Sequence, residues 1–121
     1  LATIYEEVGD METNMLDLEE VKRKLKEGKL NETLADAMSW WTSTLMKATF
    51  GSKGLELPFR LAGSREELST LIAAMGMERR YMADVHRYGL DNPTTYKTRS
   101  ILQSAIDRFE ARTGLPWPFK N

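Results

Sequence analysis

Ile4, Val8, Met11, Met15, Leu18 and Leu25 fall at alternating four- and three-residue steps. A stripe with that spacing suits a helix packed against another helix. It recurs after Gly28 as Leu34, Met38, Trp41, Leu45 and Ala48. The pattern predicts a first helix over about residues 3–26, weakened at Gly9 and ended by Gly28, and a second over about 31–50. Lys22 is the one charge within the stripe. In a parallel self-dimer Glu7 would oppose Glu12, so the seam reads as an intramolecular hairpin or a contact with a different partner. Folding back at Gly28 brings Lys22 near Asp36, unless Lys22 snorkels at the edge of the seam. Trp40 and Trp41 are neighbours, about 100° apart on a helix, and cannot share one groove. Trp41 belongs to the stripe. Trp40 either fills a second contact with the C-terminal half or stands exposed as an interface anchor.

Gly51 and Gly54 break the helical pattern, after which Leu55, Leu57, Phe59 and Leu61 alternate with Glu56, Pro58 and Arg60. Period two means extended chain. No second strand of similar quality stands out and Pro58 cannot donate to a central ladder, so a sheet within one chain is not expected. The segment reads as a connector laid across the helices, or as an edge strand that pairs with a second copy or a partner.

Ser64 and Glu67 form a capping box ahead of Leu68, Leu71, Ile72 and Met75, in a third helix running past Gly76 towards Met82 and Val85. Gly89 followed by Leu90 stops it, and Asn92 with Pro93 starts a fourth. That helix carries Ile101, Leu102, Ala105, Ile106 and Phe109 on one face and ends at Gly114. Leu115, Pro116, Trp117, Pro118 and Phe119 make a stiff tail with two large aromatics. The expected fold is a mostly α helical bundle of about four helices in one domain over residues 1–121. It comprises an N-terminal antiparallel hairpin (1–50), an extended connector (51–63) and a helix pair with an aromatic tail (64–121).

The chain has 121 residues and no cysteine, which excludes disulfides and thiolate chemistry. No apolar run approaches the ~20 residues of a membrane span, and the start does not resemble a signal peptide, so a cytoplasmic protein without membrane contact is expected. Residue 1 is leucine, which suggests a segment excised from a longer chain. The net charge of −1 conceals a difference between residues 1–54, at −3, and 55–121, at +2. Apart from Arg23, the first part uses lysine. Apart from Lys97 and Lys120, the second uses arginine, the better partner for carboxylate or phosphate.

His86 is the only histidine, and Asp84, two residues away, points to another helix face. There is no nucleophile elbow, phosphate-cradling glycine loop, metalloprotease helix or calcium loop. The chain therefore reads as a non-enzyme without catalytic residues, metal site or cofactor. Tyr88, Gly89, Leu90, Asp91, Asn92, Pro93 and Thr94 form a stretch that resembles the turn of the small helical-hairpin phosphatases acting on sporulation response regulators. That resemblance implies a serine with an aspartate four residues on. Here Ser100 is followed at that spacing by Ser104, and Ser104 by Arg108, so no function carries over.

Seven methionines and three tryptophans fit a protein whose role is contact with other proteins. The expectation is an assembly or adaptor module, part of a larger complex such as a viral or phage structure. It would contact a protein partner or a second copy through Trp40, Leu55, Leu57, Phe59, Trp117 and Phe119. The alternative is an accessory nucleic-acid-binding protein using Arg79, Arg80, Arg87, Arg108 and Arg112, with Tyr81, Tyr88 and Tyr96 available for stacking.

Overall fold

The computed structural model describes residues 14–31, 33–51 and 59–119. In chain order these form β1 (Asn14–Asp17), α1 (Leu18–Leu30), α2 (Leu34–Phe50), β2 (Phe59–Ala62), α3 (Arg65–Tyr88) and α4 (Pro93–Thr113). The fold is mostly α, with four helices and one two-stranded sheet among the described residues. The chain divides into two compact units, Leu1–Leu68 with Pro118–Asn121, and Ser69–Trp117. The first turn of α3 belongs to the first unit and the rest of that helix to the second.

In the first unit the expected long first helix is corrected. Ile4, Val8 and Met11 lie outside the described residues, but Met15 sits in β1, not in a helix. The helix starts at Leu18 because Asp17 caps it. The Asp17 side chain accepts the Glu19 backbone N–H at 3.0 Å, and Glu19 and Glu20 place negative charge at the positive end of the helix dipole. Before that cap the chain is extended, so side chains alternate. Leu16 is buried and Met15 is 39% exposed, the reverse of what the helical stripe required.

β1 pairs in parallel with β2, with Leu16 opposite Leu61, both fully buried. The expectation that the extended segment lacks a strand partner in its own chain is therefore wrong. The partner is β1, and α1 and α2 supply the crossover that a parallel pair needs. Leu55, Leu57 and Pro58 lie outside the described residues, as does the side chain of Phe59.

α1 and α2 form the expected antiparallel pair, since Gly28 lies against Ala37, Lys24 against Trp40, and Glu20 and Val21 across from Ser43 and Thr44. Gly28 does not end α1. It is buried inside the helix, where an added Cβ would stand 3.0 Å from both the Ala37 Cβ and the Leu34 Cα. The glycine lets the two backbones approach, and α1 runs on to Leu30, closing with Asn31 N–H donated to the Glu27 carbonyl at 2.9 Å. Trp41, Leu45 and Ala48 are buried as their stripe predicts.

Lys22 does not meet Asp36. In the antiparallel register it lies level with residues near 42, whereas Asp36 lies level with the exposed end of α1. Its ammonium is paired with Glu67 and, at 3.3 Å, with Glu19. Glu67 is also the capping-box residue at the start of α3, with its N–H donated to Ser64 Oγ at 3.2 Å. One buried carboxylate thus accepts from the Ser64 hydroxyl that caps α3, at 3.2 Å, and holds the charge in the seam. Burial lowers the Lys22 pKa, but the hydrogen bonds and charges of Glu67 and Glu19 outweigh it and leave the value above that of free lysine.

In the second unit α3 and α4 are joined by a turn whose signals read as predicted. Gly89 takes φ 84°, Asn92 Oδ1 accepts the Thr94 N–H at 2.9 Å with Pro93 in the first turn, and Gly114 ends α4 at φ 75°. Thr95 Oγ1 donates to the Gly89 carbonyl at 2.7 Å and Thr98 Oγ1 to Asp84 Oδ2 at 2.5 Å, fixing the start of α4 against the end of α3. Leu102, Ala105, Ile106 and Phe109 form the buried face of α4. Ile101, expected on that face, is exposed, as are Ile72 and Met82 of α3.

Candidate functional site

The first unit contains a groove of about 300 Å³ lined by β1, the first turns of α1, and α2. Met15 supplies its exposed apolar surface over a floor of buried Leu16 and Val21, Asp17 and Glu20 its acidic rim, and Trp40, Ser43, Thr44 and Lys47 its α2 wall. Trp40 is neither core nor fully exposed. Lys24 of α1 sits over its ring at 4.1 Å and is held by Glu20 at 3.6 Å, so the indole has a cation on one side and the groove on the other. Lys47 forms no ion pair with any described residue. In a two-stranded sheet β1 has one edge not taken by β2, and no described strand pairs with it.

The groove offers an aromatic wall, a sheet edge, two hydroxyls and both signs of charge. It has no histidine and no activated nucleophile. His86 lies exposed in the other unit, and among the described residues no three His, Asp or Glu side chains gather as a metal-holding group.

The other residues singled out from the sequence are not brought together with Trp40. Trp117 is 1% exposed, too buried to serve as a partner anchor in this structure. Its indole N–H donates to Glu78 Oε1 of α3 at 2.8 Å, its backbone N–H to Glu110 Oε2 of α4 at 2.7 Å, and its ring meets Phe109 edge-on at 5.3 Å. This is docking onto the protein's own third and fourth helices, the alternative to insertion into a partner. Burial raises the Glu78 pKa above the ordinary carboxylate value, although the indole hydrogen bond opposes that shift. Phe119 belongs to the first unit and packs at 6.2 Å from Phe50.

Arg80, Arg87, Arg108 and Arg112 are exposed, whereas Arg79 is half-buried. Tyr81 and Tyr96 lie on the sides of α3 and α4 that carry Glu78 and Glu110, by the helical repeat of about 100° per residue.

Sequence reasoning missed the β1 wall of the groove. The signal was present as Asp17 followed three residues on by Glu20, a helix-start pattern that the continuing apolar stripe overrode. The chain matches no family model, no curated protein and no solved structure. Among the described residues, no helix is long and apolar enough to cross a membrane.

Proposed function

We propose that the chain is a protein-contact module whose first unit receives an extended segment of another protein chain along β1. The observation that carries this reading is the groove itself, which is lined by the half-buried indole of Trp40 and by β1, whose second edge no described strand takes. A sheet edge gives an incoming strand its main-chain hydrogen bonds, and a side groove selects among its side chains. Trp40 provides a rigid apolar wall, and Lys47 favours a segment that places a carboxylate beside the aromatic contact.

Selection of short peptides from a displayed library on the immobilised protein, with counter-selection on a folded Trp40→Ala variant, tests the reading. The expected peptides perturb the amide resonances of Met15, Leu16 and Asp17 and the Trp40 indole, and acidic ones weaken at least tenfold with Lys47→Glu. Peptides that bind both proteins equally, or that perturb only α3 and α4, would remove the groove as the contact site.

A further inference from the structure

The second unit carries a cationic face that the protein-contact reading does not use. Its residues, Ser69–Trp117, hold seven Lys/Arg against five Asp/Glu, a net of +2 within a chain of net −1. Trp117 fixes the orientation of that face, because it is bonded to Glu78 on α3 and to Glu110 on α4. At about 100° per residue, Asp84 lies roughly 120° round α3 from Glu78, and Thr98, which it meets, lies roughly 120° round α4 from Glu110. The tail therefore covers one broad face of the helix pair, and the opposite sides of the two helices fall together on the other.

On that other face stand Arg80 and Arg87, about 160° and 180° from Glu78, with Arg108 and Arg112 about 160° and Lys97 about 140° from Glu110. All five side chains are exposed, and none forms an ion pair with a described residue. The acidic groups of the unit lie elsewhere or are engaged. Glu78 and Glu110 bond Trp117, Asp84 accepts from Thr98, Asp91 accepts from the Tyr96 hydroxyl at 3.2 Å and Asp107 accepts from Gln103 at 2.9 Å. Lys97 to Arg112 covers about 22 Å of α4 at 1.5 Å per residue, the length over which a duplex presents roughly a dozen phosphates.

We infer that this face binds the phosphate backbone of double-stranded nucleic acid without reading its sequence. Tyr81, Tyr96 and Tyr88 decide between duplex and single strand: the first two stand on the Trp117 side and the Tyr88 ring lies under Arg87 at 5.4 Å, so the cationic face lacks a row of free aromatic platforms on which single-strand binders stack bases. Four exposed arginines and one lysine, none in an ion pair with a described residue, make contacts that position phosphates but distinguish no base pair.

The test is the binding of the whole chain to a fluorescent 20-base-pair duplex over a series of salt concentrations. Three to five phosphate contacts give a slope of log K on log salt of about −3 to −4.5. The Arg80→Glu/Arg108→Glu/Arg112→Glu variant, with unchanged helical circular dichroism, should lose at least tenfold in affinity and flatten the slope. Arg99→Glu, on the Trp117 side of α4, should stay within twofold. Affinity independent of salt, or equal losses from Arg99→Glu and Arg108→Glu, would overturn the inference. So would arginine-dependent binding to anionic lipid vesicles with none to the duplex, or binding to a single strand of the same length tighter than to the duplex.

Discussion

The two units are held together in different ways. The first depends on partners distant in sequence, with β1 paired to β2 across the whole α1–α2 hairpin and Lys22 tied to Glu67, 45 residues away. The second depends mainly on local rules, with a capped turn, an αL glycine at each helix end and a tail that folds back onto the helix it leaves. In the first unit Lys22 pairs with Glu67 and Glu19, Arg23 with Glu27 and Lys24 with Glu20, while in the second Arg80, Arg87, Arg108 and Arg112 stand exposed. Charge thus fastens sequence-distant elements in the first unit through Lys22 and Glu67, while four arginines of the second remain at its surface.

Removing Trp117 should have the largest effect. Trp117→Ala deletes a fully buried indole and strips the Glu78 carboxylate of its donor, a loss of about 3–5 kcal/mol by denaturant titration. Hydrogen exchange should accelerate in α3 beyond Leu71 and in α4 more than in α1 and α2. Equal acceleration everywhere would mean that the two units open as one.

A matched pair of glycine substitutions sharpens the contrast. Gly28→Ala forces a methyl against Ala37 and the α2 backbone, and overpacking of about 1–3 kcal/mol should exceed the gain of up to about 1 kcal/mol in helix propensity. Gly76→Ala in α3 meets nothing within 4 Å and should stabilise by roughly 0.5–1 kcal/mol. Changes of the same sign in thermal unfolding would show that the close approach at Gly28 is not limiting.

Glu78 sets the pH response of the second unit. Its folded pKa is raised by burial, so the folded state binds the proton more tightly and the penalty for burying the charge is present above the folded pKa. That penalty is relieved as pH falls through the folded value towards the unfolded value. Wild type should therefore gain stability relative to Glu78→Gln between pH 7 and pH 4.5, read as the difference in their melting temperatures. A difference that is flat with pH would mean the carboxylate is not desolvated.

Two smaller effects test the first unit. A double-mutant cycle on Lys22 and Glu67 should give a coupling of about 0.5–1 kcal/mol, while one on Lys22 and Asp36 should give none. Thr49 is fully buried and its Oγ1 has no hydrogen-bond partner among the described residues, so Thr49→Val should raise stability by roughly 0.5 kcal/mol. Destabilisation would reveal a partner for the hydroxyl in solution.

The sequence by itself determined the helical class, the buried faces of α2 and α4 apart from the exposed Leu34 and Ile101, the Ser64–Glu67 cap and the turn from Gly89 to Pro93. Each depends on residues within a few positions of one another, where backbone preference and periodicity act directly. It also marked Leu61 as part of an extended segment, but it could not reveal that segment's partner. Asn14–Asp17 is too short to show its own alternation, and its Met15 matched a helical stripe. The arginines and Trp40 were legible as residue types, whereas their arrangement was not. Trp40 became a groove wall because β1 passes beside it, Lys22 was neutralised by Glu67 because the β2–α3 junction reaches it, and five cations came to share a face because Trp117 occupies the other. Such placements follow from contacts across tens of residues, which a local pattern does not encode and which only packing of the chain decides.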